Sequence, residues 1–246
     1  MKNKNFVAVI PARSGSQELK NKNIINMHGH PLLSYSIQAA KDSKFINKIF
    51  VTTDKKKIAT ISKLYGAEVV FRPKKLSGNG INIEPAVNHL IKSVEKNYKI
   101  SCDYIVLLQP TSPLRNPKDL DNAIKIFLKE KCDSLFSSVN FHSLYWRKKK
   151  KQYKPINYNF GFRPNRQKMS ETLIENGSIY VTKKRIYKKK GDRLGGKIST
   201  YIMDNYSIFE IDSKKDTKIV SDLIVSKNLK KKICRPKIIK WNLRQD

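Results

Sequence analysis

Phe6-Val7-Ala8-Val9-Ile10 is an unbroken apolar run that ends in Pro11-Ala12-Arg13-Ser14-Gly15-Ser16. A run this short, closed by small turn-forming residues, predicts a strand buried on both faces and then a loop. From Pro31 the apolar positions change to helical spacing, with Leu32, Leu33, Ile37 and Ala40 on one stripe. Ile46 and Ile49 to Thr53 read as a second strand. Ile58, Ile61, Leu64 and Tyr65 form another helical stripe closed by Gly66, and Glu68 to Phe71 is a short strand. Residues 83 to 97 read as helix, Tyr104 to Leu108 as the most apolar strand, 117 to 130 as a helix opened by Pro117, and Ser134 to Val139 as a strand. Strands that alternate with helices of ten to fifteen residues predict right-handed βαβ units and a mainly parallel sheet.

Residues 140 to 175 break this rhythm. They are rich in Asn, Tyr, Lys and Pro without a clean period, and so read as an insertion outside the central sheet. Order returns with a strand at Gly177 to Val181. Lys183 to Lys197 is a polar stretch, Thr200 to Met203 and Ser207 to Phe209 read as further strands, and a last helix carries Ile219, Leu223 and Ile224. The expected organisation is one domain over residues 1–230 and a basic, aperiodic tail over 231–246.

Composition narrows the class. The chain has 246 residues, 39% of them hydrophobic, which suffices for a substantial core. Cys102, Cys132 and Cys234 are too few and too scattered for a disulfide scaffold or a zinc site, so reduced thiols are expected. No apolar run reaches the roughly 18 residues needed to cross a bilayer, and the expectation is a soluble cytoplasmic protein with no membrane partner. The formal charge is +31, which invites a nucleic-acid reading. Its distribution argues against a specific nucleic-acid partner, because 41 of the 51 basic residues are lysines spread over almost every predicted helix.

In an open parallel sheet, ligands bind beyond the carboxyl ends of the strands. Four polar segments fall there. The loop from Arg13 to Asn23 can cradle phosphate through backbone N–H groups, with Arg13, Lys20 and Lys22 as cations. Gln109-Pro110-Thr111-Ser112-Pro113-Leu114-Arg115 follows the most buried strand; Gln109 presents an amide there, and Arg115 either holds an anion or pins the loop. In Glu175 to Tyr180, Asn176 and Tyr180 could hydrogen-bond a polyhydroxylated ligand. Glu210-Ile211-Asp212 sets two carboxylates on one side of an extended segment, a geometry for Mg²⁺ held together with substrate phosphates, or merely for lysine partners.

Taken in order, these residues resemble the acylneuraminate cytidylyltransferases. The matching runs are Ile10 to Ser16 with Lys22-Asn23-Ile24, Thr53-Asp54, Arg72-Pro73, Leu108 to Arg115, Arg166-Gln167, Asn176 to Tyr180 and Ile211-Asp212, over roughly residues 5 to 228. The resemblance implies a Rossmann-like three-layer α/β/α nucleotidyltransferase with a mainly parallel sheet and an inserted dimerisation segment. It also implies transfer of CMP from CTP to the 2-hydroxyl of a nonulosonic acid, with Mg²⁺, in a homodimer. On that resemblance Arg13, Lys22 and Asp212 are catalytic, with Glu210 and Asp212 on the metal. Arg13, Ser14, Gly15, Ser16, Lys22, Asn23, Arg72 and Asn79 bind nucleotide, and Gln109, Arg166, Gln167, Asn176 and Tyr180 face the sugar.

The departures from the family pattern carry their own expectations. Gln17-Glu18 stands where Lys-Gly is usual, which sets a carboxylate in the expected phosphate path, and Asn79-Gly80 replaces an aspartate and small hydroxyl residues. These departures leave an impaired member that binds nucleotide or a protein partner as a further reading, and a cytidylyltransferase for the eight-carbon keto sugar acid of lipopolysaccharide is the alternative within the same class.

Overall fold

The computed structural model describes residues 4–16, 18–78, 80–165, 167, 169, 171–226, 229 and 232–237. In chain order the elements are β1 (Phe6–Pro11), β2 (Asn26–Met27), β3 (His30–Pro31), α1 (Leu33–Asp42), β4 (Ile46–Thr53), α2 (Lys56–Leu64) and β5 (Glu68–Phe71). There follow α3 (Glu84–Ser93), continued by a π turn at Val94–Tyr98, then β6 (Tyr104–Leu108), α4 (Asp119–Lys129) and β7 (Ser134–Asn140). The rest comprises β8 (Trp146–Lys149), β9 (Gln152–Pro155), β10 (Leu173–Lys183), α5 (Lys184–Lys190), β11 (Ile198–Ile202), a 3-10 turn at Asn205–Ile208 and α6 (Lys214–Val225).

Seven strands form one sheet in the order β11-β7-β10-β6-β1-β4-β5. Neighbours run parallel except β10, which is antiparallel to both β6 and β7. β1 is buried along its whole length because both its faces are covered. Phe6, Ala8 and Ile10 pack on one side with Leu33 and Ile37 of α1, Ile58 of α2 and Ile124 of α4. Val7 and Val9 pack on the other with Val87 and Leu90 of α3 and Tyr187 of α5. This is the three-layer α/β/α arrangement that the alternating pattern predicts. The chain goes outward from β1 to β4 and β5 and then returns across the sheet to β6, so the order reverses between β1 and β6. A crevice opens at such a reversal, at the carboxyl ends of the strands.

Several expectations need correction. The insertion outside the sheet is narrower than 140–175, because Leu173, Ile174 and Glu175 already pair with Asn140, Val139 and Ser138. What remains outside includes the separate exposed hairpin of β8 and β9. Ser207 to Phe209 is not a strand: Ser207 N–H donates to Asp204 O at 2.9 Å in the 3-10 turn, and the buried Ser207 hydroxyl takes a bond from Asn176. The polar stretch after Lys183 opens with α5, which lysine favours but in which, among the described side chains, only Ile186 and Tyr187 are buried, too few to show a period. Leu64 and Ile219 lie outside the buried stripes, each 44% exposed, and α6 is anchored instead by Val220 and Ile224. In the tail, Ile233 and Cys234 pack onto the domain, and Cys234 N–H donates to Arg115 O at 2.7 Å.

Candidate active site

The loop after β1 is shaped by its contacts across the sheet. Asp54, at the end of β4, accepts the Ser14 N–H at 2.9 Å on Oδ1 and the Ser14 hydroxyl at 2.8 Å on Oδ2. The expectation that Ser14 offers its N–H to phosphate is therefore corrected, since both of its donors are spent on Asp54. Arg13 is held from two sides: Nη1 donates to Gly78 O at 2.8 Å, and Asn23 Nδ2 donates to Arg13 O at 2.8 Å. Asn21 adopts left-handed backbone (φ 56°), and the 3-10 turn Lys22–Ile24 that follows presents Lys22. Gly15 has open space around it, and Ser16 N–H folds back to Ser14 O at 3.2 Å. Glu18 and Lys20 are exposed, while Gln17 and Asn79 lie outside the described residues.

Arg72, at the end of β5, is 7% exposed, and its Nε is buried without a partner. Burial lowers the guanidinium's pKa, with the nearby Arg13 acting the same way and Asp54 opposing them. An orphaned guanidinium N–H beside a second cation suits an anion. Arg13, Lys22, Asn23, Arg72 and Gln109 line one open cleft of about 180 Å³ at the reversal between β1 and β6.

The carboxylates stand at the cleft's edge. Lys22 Nζ lies 2.8 Å from Asp212 Oδ1. Ile211 is buried between Glu210 and Asp212, and its N–H donates to Thr111 O at 2.8 Å, which ties this segment to the loop after β6. Asp212 is exposed and precedes the capping box of α6, in which Ser213 and Asp216 bond reciprocally. Burial, and then the charge of Asp212, raise the Glu210 carboxyl to about 7. β10 bulges between Glu175 and Tyr180, and at its apex Gly177 adopts φ +63°. A Cβ there would run into Glu210 Oε1 and lie 3.0 Å from Gln109 Nε2, so Gly177 is what lets these two side chains approach.

Arg115 pins the loop. It is 1% exposed and donates to Ser36 Oγ at 2.9 Å, Gln109 O at 2.8 Å and Ser178 O at 2.7 Å. Burial brings its pKa down to about 10. Asn176 is not brought to the cleft. It is 1% exposed, accepts from Ser137 Oγ at 2.6 Å and donates to Ser207 Oγ at 2.8 Å, so its amide braces the bulge from inside. Tyr180 is likewise buried, facing α3 and α5, where its hydroxyl bonds Glu175 and its ring lies under Arg193. Burial and that hydrogen bond raise its pKa. Gln167 is exposed and does not line the cleft, and Arg166 lies outside the described residues. Among the described residues no three His, Cys, Asp or Glu gather into a metal cage, and no helix is long and apolar enough to cross a membrane. The signal in the sequence that marks Asp54 is an acid directly after an apolar parallel strand.

Comparison with known proteins agrees with this geometry. The family described as cytidylyltransferase matches residues 7–235. The chain is 34% identical over 215 residues to N-acylneuraminate cytidylyltransferase A of Danio rerio, covering 86% of this chain and 49% of that protein, so it spans about half that relative's length. It is 30% identical to the CMP-N,N'-diacetyllegionaminic acid synthase of Campylobacter jejuni, over 92% of this chain and 98% of that one. A CMP:2-keto-3-deoxy-manno-octonic acid synthetase complexed with CTP superposes with a TM-score of 0.66 over 90% of this chain and 98% of that one; at 16% identity this is a likeness of fold. A family match across nearly the whole chain, on a fold whose cations gather at the sheet's reversal, shows that this chain belongs to the cytidylyltransferase family.

Proposed function

We propose that the chain transfers CMP from CTP to the 2-hydroxyl of a sialic acid or sialic-acid-like nonulosonic acid and releases pyrophosphate. The observation that carries this reading is the meeting of Arg13, Lys22 and Arg72 in one cleft with Glu210 and Asp212 at its edge. Three cations offset a triphosphate, and two carboxylates beside it match the way a hard dication is held between protein and phosphate oxygens. The names of the two sequence relatives supply the acceptor class.

The donor set fits Mg²⁺. Glu210 and Asp212 are close enough for one charge to disturb the other, a repulsion that a dication relieves, and phosphate oxygens and water would complete its shell. When bound, Mg²⁺ supplies charge neutralisation at the transferring phosphate. Arg13 and Lys22 stabilise the charge that develops as pyrophosphate departs, and Arg72 holds the nucleotide's phosphates or their approach. Gln109, which lines the cleft, is assigned to the acceptor, with Arg166 for its carboxylate.

The working unit in this reading is a cytoplasmic two-fold homodimer joined through the segment between β7 and β10. That segment exposes Tyr153 (62%), Phe160 (75%) and Phe162 (70%), and Trp146 packs edge-on against Tyr158 and Phe160. Interfaces favour such aromatic density. The test is pyrophosphate release from CTP and Mg²⁺ across a panel of nonulosonic acids, with an eight-carbon keto acid as comparison. Turnover with a nonulosonic acid is expected. Turnover with the eight-carbon acid alone, or CTP binding without turnover, would overturn the assignment.

A further inference from the structure

Asp54 bonds Ser14 in the loop that leads to the cleft, where a negative charge opposes the proposed triphosphate, so its presence needs a reason. The hydrogen-bond ladder between β1 and β4 provides one. Its last backbone rung is Ala12 N–H to Thr52 O at 2.9 Å. In a parallel pair the next rung would take Ser14 N–H to the carbonyl two residues on. Here the Asp54 side chain takes that place, with Oδ1 accepting Ser14 N–H and Oδ2 the Ser14 hydroxyl. On its other side β4 stays tied to β5, through Arg72 N–H to Thr53 O at 2.9 Å. The carboxylate thus lets the chain leave the sheet while keeping the first residues of the loop fixed to it. Arg13, one residue before Ser14, is held at that exit by Gly78 and Asn23. Burial raises the Asp54 carboxyl, but the Ser14 bonds and Arg72 outweigh it and hold it below the usual range, so at neutral pH it accepts both bonds as an anion.

We infer that Asp54 is a positioning residue for nucleotide binding: through its two bonds to Ser14 it sets the loop on which Arg13 meets the phosphates of CTP. The inference rests on the proposed use of CTP and is independent of the acceptor's identity. Geometry and charge separate on substitution. Asp54→Ala removes both bonds and the charge, whereas Asp54→Asn removes the charge and keeps the shape, its carbonyl accepting Ser14 N–H while its amide donates to a reversed Ser14 hydroxyl. Ser14→Ala removes the hydroxyl bond alone.

The experiment measures CTP affinity by calorimetry with Mg²⁺, and KM and kcat for both substrates, on the full chain and these three variants. Asp54→Ala should weaken CTP binding roughly tenfold or more, the loss expected for bonds to a charged acceptor, with the acceptor's KM unchanged. Ser14→Ala should fall between it and the wild type, and Asp54→Asn should stay within about threefold of the wild type. A melting temperature lowered by Asp54→Ala with CTP affinity intact would overturn the inference, because Asp54 would then serve stability only. Asp54→Asn as damaging as Asp54→Ala would also overturn it, because charge rather than loop geometry would be at work. A wild-type protein that binds CTP but turns over no nonulosonic acid would sink the acceptor assignment alone, since the Asp54 comparison is read from CTP binding.

Discussion

Gly177→Ala tests whether the bulge in β10 sets the carboxylate edge of the cleft. Gly177 has φ +63°, where an alanine costs about 1–2 kcal/mol. The added methyl also runs into Glu210 Oε1 and stands 3.0 Å from both Glu210 Cδ and Gln109 Nε2. The atoms it meets are the far ends of flexible side chains, so these give way by rotating, and the Glu210 carboxylate and the Gln109 amide are displaced from the positions they hold in the cleft. That backbone strain corresponds to a fall in melting temperature of about 2–8 °C for a chain of this size. The larger effect should be on turnover, because shifting a carboxylate proposed to hold the metal by about 1 Å can cost on the order of a hundredfold. Calorimetric melting and initial rates of pyrophosphate release measure the two effects separately. Gly15→Ala is the control for folding, since no atom lies within 4 Å of its added Cβ, and it should melt with the wild type. A Gly177→Ala protein that keeps wild-type turnover would refute the link between the bulge and Glu210, whatever its melting temperature.

Lys22→Ala should lower kcat by roughly a hundredfold, a typical loss for one electrostatic contact to a transition state, and turnover within twofold of wild type would remove Lys22 from the chemistry. Asp212→Asn should fold normally but shift the Mg²⁺ dependence of the initial rate to higher concentration; a superimposable titration would leave Asp212 as a mere partner of Lys22. Arg115→Leu leaves the Gln109 and Ser178 carbonyls without their buried donor and should destabilise the chain by about 3–5 kcal/mol, read from denaturant unfolding. Burial raises the Asp119 carboxyl to about 6, above its unfolded 3.8, so its favourable contribution is complete below pH 4 and is lost as pH rises through 6. Asp119→Asn should therefore gain stability over wild type across that window, by about 3 kcal/mol at pH 8, and a stability difference that does not change with pH would refute it.

How far the chain could be read depended on how local each feature is. β1 and β6 were legible because a strand covered on both faces must be apolar throughout, and all five residues of β6 are buried. α5 was not, since lysines fill it and, among its described side chains, Ile186 and Tyr187 are the buried ones. Glu210 and Asp212 were found as a pair because they flank one buried isoleucine, a local pattern. The partner of Ser14 lies 40 residues away, and no spacing rule reaches that far. Polar groups beside a turn look accessible, but the Asn176 amide is buried against Ser137 and Ser207, and the buried Tyr180 bonds Glu175. Arg115 left two readings open until its burial among three acceptors decided between them.

The Lys22–Asp212 ion pair links these observations. Its carboxylate side chain is 64% exposed, and an ion pair of that kind is worth under about 1 kcal/mol, so parting it costs little. Both members are also the groups that the proposed reaction needs elsewhere, Lys22 at a phosphate and Asp212 at a dication. A nucleotide arriving with its metal offers each of them an opposite charge at once, so one weak contact is exchanged for two stronger ones. Until then the pair keeps Lys22 beside the cleft and limits the repulsion between Asp212 and Glu210, whose pKa Lys22 lowers against the rise that burial and Asp212 impose. In a chain of 51 bases and 20 acids, most carboxylates can find a lysine anywhere on the surface. What distinguishes this pair is that its lysine comes from the loop after β1 and its aspartate from the segment just before α6, 190 residues apart, so that only the folded cleft brings them together.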